Sequence, residues 1–238
     1  GGSADAGATA AVTNLAPVIE SLSATSADEN GVVHLTGAYS DVGTLDTHTV
    51  RIDWGEGSLE TVVVSDGAFD ITHQYLDDPA GTASDQYTIG VTLKDDDGGT
   101  ANGSAATTIT NVAPMIQSLS AAPAEEDGIV HLKGTFSDVG TLDTFTLSVD
   151  WGDGNTGKYN YGAGATGFDE THQYLDSGVY TVAVTLEDDD GGQAVGAVSA
   201  TVNNVAPIAK LMIGEDPVME GGTATVWFVD HFDPSQVD

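Results

Sequence analysis

Apolar and polar residues alternate along most of this chain with the period of two that is typical of β-strands. The alternation is clear in VVHLTGAY from Val32, HTVRIDW from His48, QYTIGVTL from Gln86 and TLSVDW from Thr146. Glycine, aspartate, asparagine or proline interrupts these runs at intervals of roughly eight to twelve residues, and no segment keeps a helical stripe. The pattern predicts an all-β protein made of short antiparallel strands.

Three short motifs occur twice, in the same order and at nearly the same spacing. They are Asp-Trp-Gly at Asp53–Gly55 and Asp150–Gly152, His-Gln-Tyr at His73–Tyr75 and His172–Tyr174, and Asp-Asp-Asp-Gly-Gly at Asp95–Gly99 and Asp188–Gly192. The offset between copies changes from 97 to 99 to 93 residues, which places insertions and deletions in the loops between motifs. The chain therefore contains one folding unit written twice.

An Asn-x-Ala-Pro sequence marks the boundaries of these units, at Asn14, Asn111 and Asn204. The markers predict four segments: 1–13 as the C-terminal strand of a preceding repeat, 14–110 as the first repeat, 111–203 as the second, and 204–238 as the start of a third, truncated repeat. Repeats of roughly 95 residues with about seven short strands each suit an antiparallel sandwich of the immunoglobulin type. We interpret the chain as an excerpt from a longer array.

The net charge of the chain excludes several classes of function. Against 37 aspartates and glutamates stand five lysines and arginines, a formal net charge of -32. Such a surface repels nucleic acid and anionic lipid and attracts cations, which nearly excludes DNA or RNA binding. The 40% hydrophobic content is enough for packed cores, the absence of cysteine excludes disulfides and thiolate sites, and no apolar run is long enough to insert into a membrane.

Two stretches of the second repeat resemble a known family. VDWGDG at Val149–Gly154 and THQYLDSGVYTVAVTLEDDDGG at Thr171–Gly192 are similar to the polycystic-kidney-disease (PKD) module. The first repeat differs in having Glu56 where the second has Asp153, and in a longer loop after its His-Gln-Tyr motif. The resemblance implies tandem immunoglobulin-like sandwiches in an extracellular protein of several modules, such as a bacterial adhesin, stalk or surface-layer protein. It also implies non-catalytic modules, some of which bind calcium.

Acidic turns form the candidate metal sites. In an immunoglobulin-like sandwich the loops after the second and sixth strands return to the end at which the chain enters, so their carboxylates are expected to converge there. Converging carboxylates repel unless a cation neutralises them, and calcium accepts six to eight oxygen ligands in flexible geometry. The alternative is a pair of solvated acidic turns. The candidate calcium ligands are Asn14, Asp41, Asp46, Asp95, Asp96 and Asp97 in the first repeat, and Asn111, Asp138, Asp143, Asp188, Asp189 and Asp190 in the second.

The remaining motifs favour structural roles over catalysis. Trp54 and Trp151 are expected to fill the space between the sheets, and Asp153 or Glu56 to face a neighbouring unit. The tyrosine of each His-Gln-Tyr motif is expected to hydrogen-bond backbone at a strand corner, with its histidine packed beside it. Neither a nucleophile elbow nor a fixed Ser, His and Asp spacing is present, and acidic turns repeated in both units suit a module better than a single active site.

We therefore predict a non-enzymatic structural or spacer segment at the cell surface or outside the cell, stiffened by calcium. Its expected partners are the neighbouring repeats of the same chain, since the junctions are short, and other copies in a surface assembly. The alternative is an accessory module of a secreted hydrolase that binds polysaccharide or protein. Exposed aromatics in a row would favour it, but Tyr159 and Tyr161 of the second repeat have no equivalents in the first. A third interpretation attributes the acidity to a saline habitat.

Overall fold

The computed structural model describes residues 12–214, 217–233 and 235. Within these ranges the chain forms 18 β-strands and no helix. No helix that could span a membrane occurs among the described residues. Internal contacts divide the chain into two compact units, with the boundary between Val112 and Ala113. The division into four segments stays a prediction, and the strand expected within residues 1–13 lies almost entirely outside the described residues.

The first unit contains eight strands among its described residues. They are β1 (Val18–Ala24), β2 (Ala27–Asp28), β3 (Val32–Ser40), β4 (His48–Asp53), β5 (Leu59–Val64), β6 (Ala68–Gln74), β7 (Ser84–Asp95) and β8 (Thr100–Thr110). One sheet has the order β1-β3-β6 and the other the order β2-β8-β7-β4-β5. All neighbours are antiparallel except the short strand β2, which pairs parallel with the end of β8.

The second unit repeats this arrangement strand for strand. Its strands are β9 (Met115–Ala121), β10 (Ala124–Glu125), β11 (Ile129–Ser137), β12 (Phe145–Asp150), β13 (Thr156–Tyr161), β14 (Gly167–Gln173), β15 (Gly178–Asp188) and β16 (Gln193–Asn203). The two sheets have the orders β9-β11-β14 and β10-β16-β15-β12-β13, with β10 parallel to the end of β16. The prediction of tandem immunoglobulin-like sandwiches is confirmed.

The strands β17 (Ile208–Ile213) and β18 (Val226–Phe232) follow the eight strands of the second sandwich and belong to the same compact unit. They pair antiparallel with each other, as β1 pairs with β3 and β9 with β11, which is the pairing expected at the start of another repeat. Several of their large apolar side chains are exposed, among them Leu211, Trp227 and Phe228. In the complete units the equivalent sheet covers a second sheet.

Each core lies between the two sheets of its unit, because the inward residues of the alternating strands are apolar. Trp54 and Trp151 are among the largest fully enclosed side chains, as expected. The glycine after each tryptophan turns the chain with positive φ, +88° at Gly55 and +81° at Gly152. A Cβ atom at Gly152 would lie 2.5 Å from the carbonyl oxygen of Thr181, so the turn requires glycine on two grounds.

The His-Gln-Tyr motif fastens the strand corner beside each tryptophan. In the second unit the hydroxyl of Tyr174 donates to the carbonyl oxygen of Trp151 at 2.8 Å, while the ring of His172 stacks on the indole with centroids 4.8 Å apart. Nε2 of His172 donates to Asp153 at 2.7 Å. Because burial raises the pKa of Asp153 less than the hydrogen bonds from His172 and Asn155 lower it, that pKa falls below its usual value.

The first unit makes the same corner with a longer acid. Tyr75 donates to the carbonyl oxygen of Trp54 at 2.7 Å, and His73 stacks on that indole and donates to Glu56 at 2.7 Å. The exchange of Asp153 for Glu56 therefore preserves the contact with histidine. In both units this carboxylate has a partner inside its own sandwich, which the sequence pattern did not indicate.

Candidate metal centre

Strand register brings two acidic loops together at one end of the first unit. The loop 41–47 joins β3 to β4, and β7 ends at Asp95, which pairs with His48 at the start of β4. The start of β4 thus lies beside the end of β7. Carboxylate oxygens of Asp41, Asp46 and Asp95 all lie within 4.8 Å of one another. We call these residues the first aspartate triad.

Local hydrogen bonds hold two members of this triad in place. Oδ1 of Asp95 accepts from the backbone N–H of Gly99 at 2.6 Å, and its Oδ2 accepts from Nδ2 of Asn14 at 2.9 Å. The predicted ligand Asn14 therefore reaches the triad from the entering chain. Oδ1 of Asp41 accepts from the N–H of Gly43 at 3.0 Å. These contacts fix the carboxylates in a shared position without a lysine or arginine.

The three carboxyl groups of the first triad differ in acidity. The hydrogen bond from Asn14 lowers the pKa of Asp95, and the hydrogen bond from His48 lowers the pKa of Asp41. Burial and the charges of the surrounding aspartates raise the pKa of Asp46. Asp46 has the fewest hydrogen-bond donors of the three carboxyl groups, and the neighbouring negative charges therefore disfavour its ionisation most.

The second unit builds the equivalent group from Asp138, Asp143 and Asp188, the second aspartate triad. Oxygens of these three residues again lie within 4.8 Å of one another, and Asp143 also forms such a group with Asp189 and Asp190. Asp143 and Asp188 are 1% and 4% exposed, so the acidic side chains are largely removed from bulk water. All five aspartates predicted to converge in this unit therefore do so.

Asp138 shows the electrostatic cost of this arrangement. Burial and the charges of Asp188 and Asp189 raise its pKa to about 6, although the N–H groups of Val139 and Gly140 donate to Oδ1 and lower it. Its Oδ2 is buried and has no hydrogen-bond partner among the described residues. A cation at this position would stabilise the ionised form of the carboxyl group.

Other contacts of the predicted ligands connect the two acidic loops. Asp96 accepts from the N–H of Thr47 at 3.1 Å, and Asp189, which also belongs to the acidic group of the second unit, accepts from that of Thr144 at 2.9 Å. Asp97 is exposed and lies outside the first triad. Asn111 ends the first unit, where its N–H donates to Ala83, and its role as a ligand of the second unit stays a prediction.

Sequence reasoning missed one residue that contacts the first triad, His48. The Nε2 atom of this buried side chain donates to Oδ2 of Asp41 at 2.9 Å. In the second unit the equivalent residue is Phe145, which packs on Phe136 with ring centroids 4.9 Å apart and offers no donor. His48 packs in the same manner on Tyr39, at 5.0 Å. The two triads therefore differ by one hydrogen-bond donor in an otherwise equivalent frame.

This difference predicts that the two triads bind a cation unequally. A cation at the first triad must share Oδ2 of Asp41 with His48 or displace it, at a cost of about 1.5 kcal/mol for a charge-assisted hydrogen bond, or about tenfold in affinity. We expect His48→Phe to tighten calcium binding by the first unit by about that factor and Phe145→His to weaken binding by the second. Isothermal titration calorimetry of the two variants checks this. Unchanged or oppositely directed affinities would contradict it.

The chemistry of both triads fits a hard divalent cation. Their donors are carboxylate oxygens, with an amide side chain nearby in the first unit, and calcium takes 6–8 oxygen ligands at about 2.3–2.6 Å without a preference for nitrogen or sulfur. Main-chain carbonyl groups and water would complete the ligand set. The two triads are formed by residues at equivalent positions. Cation binding would therefore be a property of the repeated unit itself.

Residues 111–202 match the family model described as PKD domain. The second unit is a PKD domain. The match covers the Trp-Gly corner, the His-Gln-Tyr motif and the second triad of this PKD domain, and the first unit has the same strand order. The recognition made from VDWGDG and the following motifs is thereby confirmed.

Solved structures with similar folds are distant from this chain. The PKD domain of an M14-like peptidase from Thermoplasmatales archaeon SCGC AB-540-F20 is 21% identical, with 40% of this chain and 99% of that chain covered and a TM-score of 0.33. A tetra-tandem repeat in the extending region of a large adhesion protein is 14% identical, covering 88% and 63%, with a TM-score of 0.46. A 1.5-MDa bacterial ice-binding adhesin is 15% identical, covering 85% and 70%, with a TM-score of 0.32. No curated protein matches.

Proposed function

We propose that this chain is a non-catalytic spacer segment of an extracellular or cell-surface protein, in which calcium stiffens each sandwich unit. The observation that carries the proposal is the presence of equivalent aspartate triads in both units. A binding group that recurs with the fold belongs to the module rather than to one active site. The PKD assignment of the second unit and the net charge of -32 support the same conclusion.

Calcium would cross-link stretches of the chain that come from different parts of each unit. In the first unit, Asp41 and Asp46 come from the loop between β3 and β4, while Asp95 ends β7 and holds Asn14 of the entering chain. One ion bound by these oxygens would join three separate stretches of backbone. The entering chain would then be fixed to its unit, which is the property that a rigid spacer needs.

Exposed aromatic residues in a row would favour the alternative of a sugar- or protein-binding module. Tyr159 and Tyr161 are partly buried and pack against the core of the PKD domain. The hydroxyl of Tyr161 also donates to Glu170 at 2.6 Å. These contacts give both rings a structural role, so they add no support to the alternative. The expected partners therefore remain neighbouring repeats and other copies of the chain.

Calorimetry of the 238-residue chain in EGTA, calcium and magnesium tests the proposal. Calcium at 100 times its dissociation constant should stabilise a unit by about 2.7 kcal/mol. For a domain of this size that corresponds to an increase in melting temperature of about 10 °C or more. Small-angle scattering should show a narrower distribution of chain dimensions in calcium than in EGTA.

Sodium chloride at matched and higher ionic strength is the control. If the stabilisation came from general screening of the acidic surface, sodium chloride would reproduce it and calcium would add nothing. That outcome would favour adaptation to a saline habitat. Identical melting and scattering in EGTA and calcium would remove the calcium part of the proposal.

A further inference from the structure

We propose that Glu29 and Glu126 are latches that hold the chain in place where it leaves each unit. Oε1 of Glu29 accepts from the backbone N–H of Val112 at 2.7 Å, and Oε1 of Glu126 accepts from that of Val205 at 2.6 Å. Both valines follow the last strand of their unit and stand two residues before a proline. The latch acts on backbone amides and goes beyond the proposed binding of calcium.

Backbone and side chain of each glutamate act on successive residues of the departing chain. The N–H of Glu29 donates to the carbonyl oxygen of Thr110 at 3.0 Å, continuing the parallel pairing of β2 with β8, while its side chain holds Val112. In the second unit the N–H of Glu126 donates to Asn203 at 2.9 Å, continuing the pairing of β10 with β16. Each glutamate therefore adds contacts to the departing chain beyond the end of the parallel strand pair.

The turn that carries each glutamate is itself held rigidly. The next residue, Asn30 or Asp127, has a φ of +56° or +59°. Its N–H donates to the carbonyl oxygen of the tyrosine in the His-Gln-Tyr motif, at 2.6 Å for Asn30 and 2.8 Å for Asp127.

The glutamine of the motif completes this support. Nε2 of Gln74 donates to the carbonyl and side-chain oxygens of Asn30, and Nε2 of Gln173 to the same atoms of Asp127, at distances of 2.7–2.8 Å. The central residue of His-Gln-Tyr thus acquires a role. It positions the turn from which the glutamate reaches the departing chain.

Burial shows that these glutamates are not ordinary surface acids. Glu29 is 1% exposed and Glu126 is 3% exposed. Removing a carboxylate from water is costly unless strong hydrogen bonds compensate, and acceptance from a backbone N–H by a charged oxygen is one of the stronger kinds. The same costly residue in the same contact in both units indicates a function of the repeat.

Hydrogen exchange followed by NMR tests the latch directly, because the amides of Val112 and Val205 are the atoms that it holds. In the unaltered chain both amides should be protected although they lie outside the strands. We expect Glu126→Ala to speed exchange at Val205 by about tenfold or more, the factor for a loss of about 1.4 kcal/mol. Val112 should not change, since Glu29 still holds it, and Glu29→Ala should produce the reverse result.

Glu126→Gln separates the hydrogen bond from the charge. Its amide oxygen can still accept from Val205, so this variant should retain most of the protection that Glu126→Ala loses. Exchange at Val184 and Leu186 in the core reports whether each variant folds. All samples are measured in EGTA and again in calcium, so that failure of the latch is distinguished from failure of the calcium proposal.

Three results would overturn the inference. The first is an unprotected Val205 amide in the unaltered chain, which needs no variant to observe. Exchange at Val205 that stays the same in folded Glu126→Ala would show that the carboxylate does not hold the amide. Equal loss of protection in Glu126→Gln and Glu126→Ala would show that the charge, rather than the acceptor, is what matters.

Discussion

Replacing Trp151 by alanine should lower the free energy of unfolding of the PKD domain by about 3–5 kcal/mol. The indole is 2% exposed, lies in the core between the sheets and stacks on His172. Its removal leaves a cavity and takes away the surface on which the histidine rests. Denaturation in urea, followed by NMR signals of each unit, measures the loss. Trp54→Ala should have an effect of the same size in the first unit.

The chain provides its own control for this prediction. Trp227 lies on β18 and is 45% exposed, so Trp227→Ala should change the stability of either complete unit by no more than about 0.5 kcal/mol. Similar small effects for Trp151→Ala and Trp227→Ala would mean that the tryptophan of the Trp-Gly corner does not anchor the sandwich.

The alternation of residues was sufficient to predict the strands and the fold class. A period of two determines which side chains face inward, and the motif repeats determine that the same sandwich occurs twice. Tyr75 and Tyr174 were predictable for the same reason, because a tyrosine at a strand corner needs a backbone acceptor and the carbonyl oxygen of the tryptophan supplies it. Local chemistry and topology point to the same contacts here.

Convergence of the aspartates could also be predicted, because it depends only on which loops share an end of the sandwich. The pairings of His48 with Asp95 and of Phe145 with Asp188 are the physical cause. The division of roles within each acidic run was not predictable. Whether an aspartate joins the triad, as Asp95 does, or hydrogen-bonds to the facing loop, as Asp96 does, depends on the direction that its side chain takes in the turn.

Contacts of single atoms across the sheets could not be read from the pattern. Alternation indicates that His48 points inward but not that its Nε2 meets Asp41. Glu29 and Glu126 follow strands of only two residues, which are too short to show an alternation. A charged residue at such a position is therefore expected to be exposed. Their equivalent positions, in ENG and EDG, were the one available signal.

Replacing Asp143 by asparagine should have opposite effects without and with calcium. Asp143 is central to the second unit, because its oxygens form close groups both with Asp138 and Asp188 and with Asp189 and Asp190. In EGTA, removing its charge relieves repulsion among carboxylates that are largely buried, so the PKD domain should become more stable. In calcium, the variant lacks a ligand and should lose most of the stabilisation of about 2.7 kcal/mol expected at 100 times the dissociation constant.

Melting temperatures of the two units in EGTA and in saturating calcium measure both effects. Asp97→Asn is the matched control, since Asp97 is an exposed aspartate outside the triads and its loss should leave the calcium response of both units unchanged. Asp46→Asn should remove the response of the first unit alone. If Asp143→Asn instead destabilised the PKD domain equally in EGTA and calcium, Asp143 would be a structural hydrogen-bonding residue. The acidic loops would then be held together by their own backbone contacts, with no need for an ion.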